Sequence, residues 1–121
     1  MKDYKVLIVE DEVLIREMLK EIFMSEFSAV FTAGHGLQGI ERYHEFAPDL
    51  IITDIKMKKM DGLTMIERIQ QEDPTQKFII ITAYSDEYHL KTSKLLGVKD
   101  VLVKPIDSRE LMTKAIEILQ R

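Results

Sequence analysis

Four strand-like apolar runs, at residues 6–9, 50–53, 78–81 and 101–103, each stop on a residue suited to phosphate or magnesium chemistry. They lead to Glu10 and Asp11, to Asp54, to Thr82, and to Lys104 followed by Pro105. In an open α/β sheet the carboxyl ends of the strands are where ligands bind. Ionised carboxylates gathered there repel one another and raise one another's pKa, so such a cluster is costly unless a cation or a proton is shared. Magnesium prefers oxygen ligands, keeps several waters, and is commonly held by one or two carboxylates together with a substrate phosphate. Asp11 and Asp54, with Glu10 behind them, fit that description. Thr82 adds a hydroxyl donor, and Lys104 adds a compact ammonium for phosphate oxygens. Each residue alone has an ordinary reading: acids opposing a helix dipole, a turn aspartate, a structural threonine, a solvated lysine. Four suitable types at four strand ends are what point to a phosphoryl site.

The elements that must position these residues are visible as strand-like and helix-like patterns alternating five times, which predicts βαβ units around a parallel sheet. After the first strand, Val13, Leu14, Met18, Leu19, Ile22 and Phe23 recur at helical spacing and are expected on the buried face. Arg16, Glu17, Lys20 and Glu21 are left for solvent, and the helix should end near Ser25. A weaker strand over residues 29–33 leads through Gly34 and Gly36 to a helix over 37–46, which Pro48 closes from beyond. The strand ending at Asp54 should lie beside the first in a right-handed βαβ unit, so that its carboxylate faces the acidic pair. Leu63, Ile66 and Ile69 mark one face of the next helix, after Asp61-Gly62 and before the break at Asp73-Pro74. Ile79, Ile80 and Ile81 show no polar alternation, which suits a central strand covered on both faces. Asp86 can cap a helix reaching Leu96 with Gly97 as its stop, and Asp107 or Ser108 can cap a last helix holding Leu111, Ala115, Ile118 and Leu119.

Composition bounds the function. The 121 residues are 45% apolar and 31% charged, enough for one core, and the expectation is a single domain over 1–121 with no effector domain in this chain. A formal net charge of -4 argues against direct nucleic-acid binding, which depends on Lys and Arg neutralising phosphates. The lack of cysteine excludes disulfides, thiolate metal sites and cysteine nucleophiles. No apolar run approaches the roughly 20 residues of a membrane span, so a cytoplasmic location without membrane contact is expected.

Val9-Glu10-Asp11-Glu12, Asp54-Ile55-Lys56-Met57 continuing to Met60-Asp61-Gly62, Thr82-Ala83, and the stretch from Gly97 to Lys104-Pro105 together resemble the receiver domain of two-component response regulators. The resemblance covers essentially the whole chain. It implies a doubly wound (βα)5 three-layer sandwich with a flavodoxin-like parallel sheet of order 2-1-3-4-5. It also implies that Asp54 is the phosphoacceptor and Asp11 a direct magnesium ligand, with Asp54 and the backbone carbonyl of Lys56 completing the protein's contacts and Glu10 acting through water. Manganese is an alternative to magnesium. Thr82 would be the switch hydroxyl and Lys104 the phosphate-pairing residue, with Lys104-Pro105 a cis peptide. The implied activity is a magnesium-dependent transfer from a phosphohistidine, on a sensor histidine kinase or histidine phosphotransfer protein, to Asp54. The resemblance thus implies a phosphorelay signalling protein that catalyses its own phosphorylation and dephosphorylation rather than an enzyme acting on others. His35, His44 and His89 match no motif position and are expected on the surface.

Departures from the family's pattern stand out. Val101 occupies a position where Tyr or Phe is common, so Thr82 and backbone movement are expected to carry more of the output. Lys58 replaces a frequent proline, and with Lys56 and Lys59 it makes the loop after the acceptor basic, either as a solvated loop or as a modulator of phosphoryl lifetime beside Tyr84. Output is expected on the face of the fourth helix, fifth strand and fifth helix, with Tyr84, Tyr88, Lys91, Lys94 and Ile106 as candidates for docking a downstream target or effector domain. A haloacid-dehalogenase-type phosphatase is disfavoured because Lys56 stands where a second acid is required. A docking-only pseudo-receiver is disfavoured because acceptor, ligands and lysine are all kept, and a dinucleotide site because acids follow the first strand.

Overall fold

The computed structural model describes residues 3–83 and 87–121, with side chains described for 3–83 and 91–121. Strands and helices alternate through the chain: β1 (Lys5–Val9), α1 (Val13–Met24), β2 (Ala29–Ala33), α2 (Gly36–Phe46), β3 (Leu50–Asp54), α3 (Gly62–Glu72), β4 (Lys77–Thr82), α4 (Glu87–Leu95), β5 (Val101–Val103) and α5 (Ser108–Leu119). The five strands form one sheet in the order β2-β1-β3-β4-β5, all parallel. This is the doubly wound order that the family resemblance implied. Among the described residues, no helix is long and apolar enough to cross a membrane.

Period-2 alternation along the strands divides the interior into two layers. Val6, Ile8, Leu50, Ile52, Ile79, Ile81 and Leu102 face α1 and α5, where they pack on Leu19, Phe23, Leu111, Ala115 and Ile118. Leu7, Val9, Ile51, Phe78 and Ile80 face the other way, onto Leu63, Met65, Ile66 and Ile69 of α3. Both faces of the central strands are therefore covered, which is why they read as unbroken apolar runs.

Local chemistry sets the helix ends. The Asp61 carboxylate accepts from Thr64 N at 2.8 Å to start α3, and Asp107 accepts from Arg109 N at 2.9 Å to start α5. Gly97, at φ 78, supplies the left-handed turn that stops the chain after α4. Asp86, the expected cap of α4, lies outside the described residues, as do the side chains of Tyr84, Tyr88 and His89.

Three expectations are corrected. The buried stripe of α1 is Leu19 and Phe23 supported by Ile15 and Ile22, whereas Val13, Leu14 and Met18 are exposed, Leu14 by 85%. Arg16 is not simply solvated either: it is half-buried, and its Nη1 donates to Glu10 O at 2.9 Å. His35 is half-buried rather than a plain surface residue, because its Nδ1 accepts from Gln38 N at 3.2 Å and caps α2. His44 is on the surface, 2.8 Å from Glu72 on α3.

Candidate active site

Strand register carries the polar residues to one edge. Val9 is paired with Thr53, so the next residues, Glu10 and Asp54, leave β1 and β3 together. Asp54 is level with Ile81, and Thr82 with Val103, which brings Lys104 to the same edge one step later. Alternation then selects the face: Glu10, Asp54 and Lys104 continue the parity of Ile8, Ile52 and Leu102, so the three converge over the α1–α5 side. Thr82 continues the parity of Phe78 and Ile80 on the opposite side.

The convergence is tight. Lys104 Nζ donates to Asp54 Oδ2 at 2.7 Å and lies 3.6 Å from Glu10 Oε1. The other Asp54 oxygen, Oδ1, accepts from Ile55 N at 2.7 Å, so both carboxylate oxygens are held. Ligand atoms of Glu10, Asp11 and Asp54 all lie within 4.8 Å of one another, an arrangement able to coordinate a divalent metal ion. Asp54 is only 8% exposed and Glu10 2%, whereas Asp11 is half-exposed at the mouth. Lys56 follows Asp54 by two residues with its side chain in solvent, and Thr82 is buried at the end of β4, where its carbonyl accepts from Lys104 N at 2.7 Å. The Lys104-Pro105 peptide is cis, as the resemblance implied.

Electrostatics follow from burial of like charges. The Glu10 carboxyl is pushed up from 4.5 to about 7, chiefly by burial, with the Asp54 charge adding to it while the Glu12 N–H and Lys104 oppose it. For Lys104 burial pulls the ammonium down, but the hydrogen bond to Asp54 and the charges of Asp54 and Glu10 outweigh it, so its pKa is raised and the lysine stays charged. A carboxyl whose folded pKa is raised contributes stability that is complete below its unfolded value and lost as pH rises through the folded one. The metal-free chain should therefore lose on the order of 3 kcal/mol between about pH 4.5 and pH 8 from Glu10. Thermal melts in chelator should show this loss over pH 5.5 to 8, and Glu10→Gln should flatten it. A Glu10→Gln profile parallel to wild type would remove the Glu10 assignment.

Two hydrogen bonds that brace Asp54 from behind were not evident from the sequence. Thr53 Oγ1 donates to Asp54 O at 2.8 Å, and Gly62 N donates to Ile55 O at 2.7 Å. Thr53 ends an apolar run and sits next to Asp54, which was the available signal. Ile106, expected on an output face, is half-buried and packs against the α1–α5 core.

A flavodoxin-like sheet whose carboxyl edge gathers a buried aspartate, two further acids and a lysine defines the class of phosphoacceptor signalling domains. The family model "Response regulator receiver domain" matches residues 6–116. The chain belongs to that family. It is 36% identical to the chemotaxis protein CheY of Treponema pallidum over 120 residues, 97% of this chain and 83% of that protein. It is also 36% identical to sporulation initiation phosphotransferase F of Bacillus subtilis, over 92% of this chain and 90% of that protein. Among solved structures, the N-terminal domain of an uncharacterized protein from Wolinella succinogenes has a TM-score of 0.92 at 38% identity, covering 97% of this chain and 94% of that one. A chain of the CheX-CheY-BeF3-Mg+2 complex from Borrelia burgdorferi has a TM-score of 0.88 at 32% identity, covering 97% of this chain and 90% of that one. As a receiver domain, the chain is a phosphoacceptor of two-component signal transduction that promotes its own phosphorylation and dephosphorylation.

Proposed function

We propose that Asp54 is the nucleophile, Asp11 and Asp54 the direct carboxylate ligands of magnesium, Glu10 a ligand through water, and the Lys56 carbonyl the remaining protein contact, with manganese able to substitute. The observation that carries this reading is the 2.7 Å contact of Lys104 with Asp54 Oδ2 inside an acidic cluster sized for one cation. The Ile55 amide pins Oδ1, which leaves Oδ2 as the attacking oxygen. Attack on the phosphorus of a phosphohistidine forms the O–P bond of an acyl phosphate, breaks the P–N bond and returns the imidazole to the donor. As the phosphoryl group arrives, the Lys104 ammonium passes from Oδ2 to a phosphoryl oxygen and neutralises charge there. Magnesium, when bound, supplies charge neutralisation at the same group. Thr82 then turns its hydroxyl toward the phosphoryl oxygens, which starts the output change, and attack of water on phosphorus ends the signal.

Mass analysis after incubation with acetyl phosphate tests this. Wild type with magnesium should gain one phosphoryl group, chelator should suppress the gain, and Asp54→Asn should show none. A wild-type chain that stays unmodified would overturn the reading.

The phosphodonor in this reading is a sensor histidine kinase or histidine phosphotransfer protein, met in the cytoplasm. Val13, Leu14 and Met18, exposed on α1 directly after the acidic pair, form an apolar patch beside the acceptor edge. Leu14→Glu should slow transfer from a phosphohistidine protein by about tenfold, the loss of roughly 1.4 kcal/mol of docking, while the acetyl phosphate reaction is unchanged. Equal slowing of both reactions would mean that the patch is structural. Downstream, Lys91 and Lys94 remain candidates on the output face, and Tyr84, Tyr88 and Ile106 complete the set expected from the sequence.

A further inference from the structure

The corner between β2 and α2 lies outside the cluster of Glu10, Asp11 and Asp54, yet it is bonded to both loops that carry the proposed ligands. Glu10 N donates to Ala33 O at 3.0 Å, and Gly36 N donates to Met60 O at 3.2 Å. Because β1 lies between β2 and β3 in the sheet, the second bond passes over the end of β1. A glycine makes this approach possible: a Cβ at residue 36 would lie 2.5 Å from Met60 O and 2.9 Å from Met60 Cβ. Arg16 closes the arrangement from α1. Its Nη1 donates to Glu10 O at 2.9 Å, a charge-assisted bond, and its own amide donates to Glu12 O at 2.9 Å. Glu12 N in turn donates to Glu10 Oε2 at 3.0 Å. The backbone on both sides of Asp11 is thus held, although Asp11 itself is half-exposed. A Cβ at residue 34 would lie 3.1 Å from Arg16 Nη1, so the guanidinium rests against the corner itself.

We infer that Arg16 is a positioning residue for the metal site: braced on the β2–α2 corner, it fixes where Asp11 stands relative to the loop that follows Asp54. The inference rests on the proposed assignment of Asp11, Asp54 and the Lys56 carbonyl as ligands. Glu10 O belongs to the same peptide unit as Asp11 N, so the guanidinium acts on Asp11 through a rigid planar group. Gly36 does the same for the second loop, through a Met60 that is buried. Magnesium demands near-octahedral geometry at about 2.0–2.1 Å, whereas calcium accepts roughly six to eight oxygens in looser arrangements. The separation of the two loops therefore bears on magnesium far more than on calcium. Groups that orient a ligand without touching the metal commonly change its affinity by about 10–100-fold. Simple Coulomb repulsion makes the opposite prediction, since removing a nearby cation should tighten both metal ions.

NMR titration of the ¹⁵N-labelled full chain with magnesium and, separately, with calcium tests this, with melts on the same samples to show that each variant is folded. Arg16→Met keeps an unbranched stem, and it should weaken magnesium about tenfold but calcium by about threefold at most. Arg16→Lys, which can still donate to Glu10 O, should bring magnesium back to within about threefold of wild type. In acetyl phosphate labelling, Arg16→Met should need more magnesium for half-maximal rate, while its rate at saturating magnesium stays within about twofold of wild type. Magnesium bound as tightly by Arg16→Met as by wild type, or more tightly, overturns the inference, even if the variant melts lower. Equal weakening of both ions overturns it too, because loss of positioning must discriminate between them. These results leave the proposed ligands standing as long as wild type binds magnesium and is labelled. A wild-type chain that binds neither ion removes the ligand assignment itself, and the inference with it.

Discussion

Lys104→Met should slow phosphoryl transfer to Asp54 by about two orders of magnitude or more, the size of effect expected when one preorganised charge aimed at a developing anion is removed. Methionine keeps an unbranched stem, so the change is mainly one of charge. The same variant should lose stability, because Asp54 and Glu10 then face each other without the ammonium that lies 2.7 Å and 3.6 Å away. Breaking a fully buried pair costs several kcal/mol, and since the lysine is 20% exposed a loss of about 2 kcal/mol is expected here. Magnesium should restore more melting temperature to Lys104→Met than to wild type, since it becomes the main counter-charge. Lys104→Arg should recover much of the stability but little of the rate, because a planar fork cannot reproduce a point charge in this position. Time courses of acetyl phosphate labelling, with melts at each magnesium concentration, measure both effects. A variant that labels at the wild-type rate would show that the lysine is only a structural counter-ion.

Gly62→Ala should be nearly as damaging, through packing alone. A Cβ at residue 62 would overlap the Asp54 carbonyl oxygen and lie 3.1 Å from Thr53 Oγ1, and the closer obstacle is backbone that cannot rotate away. Either α3 must withdraw from β3, breaking the 2.7 Å bond from Gly62 N to Ile55 O, or the acceptor peptide must tilt. We expect a loss of about 3 kcal/mol, at the upper end for overpacking, and a fall in melting temperature of roughly 10–15 °C. The surviving folded fraction should label slowly, since the carboxylate is aimed by the peptide that moves. Normal labelling in a destabilised variant would separate the glycine's packing role from aiming of the acceptor.

Much of this site could be read in the amino-acid order because two simple periodicities carry it. Apolar runs ending on acids, a hydroxyl and a lysine located the edge, whereas the common parity of Glu10, Asp54 and Lys104 emerges only from the register of the paired strands. What failed was the choice between overlapping stripes on α1. Val13, Leu14, Ile15, Met18, Leu19, Ile22 and Phe23 supply more apolar residues than one helix face can bury, and spacing alone does not say which remain outside. Packing against the sheet selects Ile15, Leu19, Ile22 and Phe23. Arg16 and His35 were misread for a related reason: their bonds go to backbone groups, Glu10 O and Gln38 N, whose positions depend on loop geometry. Gly62 was legible as a turn residue after Asp61, but its close approach to the acceptor's carbonyl appears only once α3 is laid on β3.

The order of the sheet also divides the labour of the site by stiffness. Asp54 leaves β3, and the acids follow β1; both strands have a neighbour on each side. Lys104 leaves β5, three residues long, at the rim of the sheet and anchored to β4 alone. When charge on Asp54 changes, the groups that bear it are the hardest to displace and the group that answers it is the easiest. If Asp54 takes up the phosphoryl group as proposed, such asymmetry would give the signal a direction, from a strand braced on both sides to one braced on a single side.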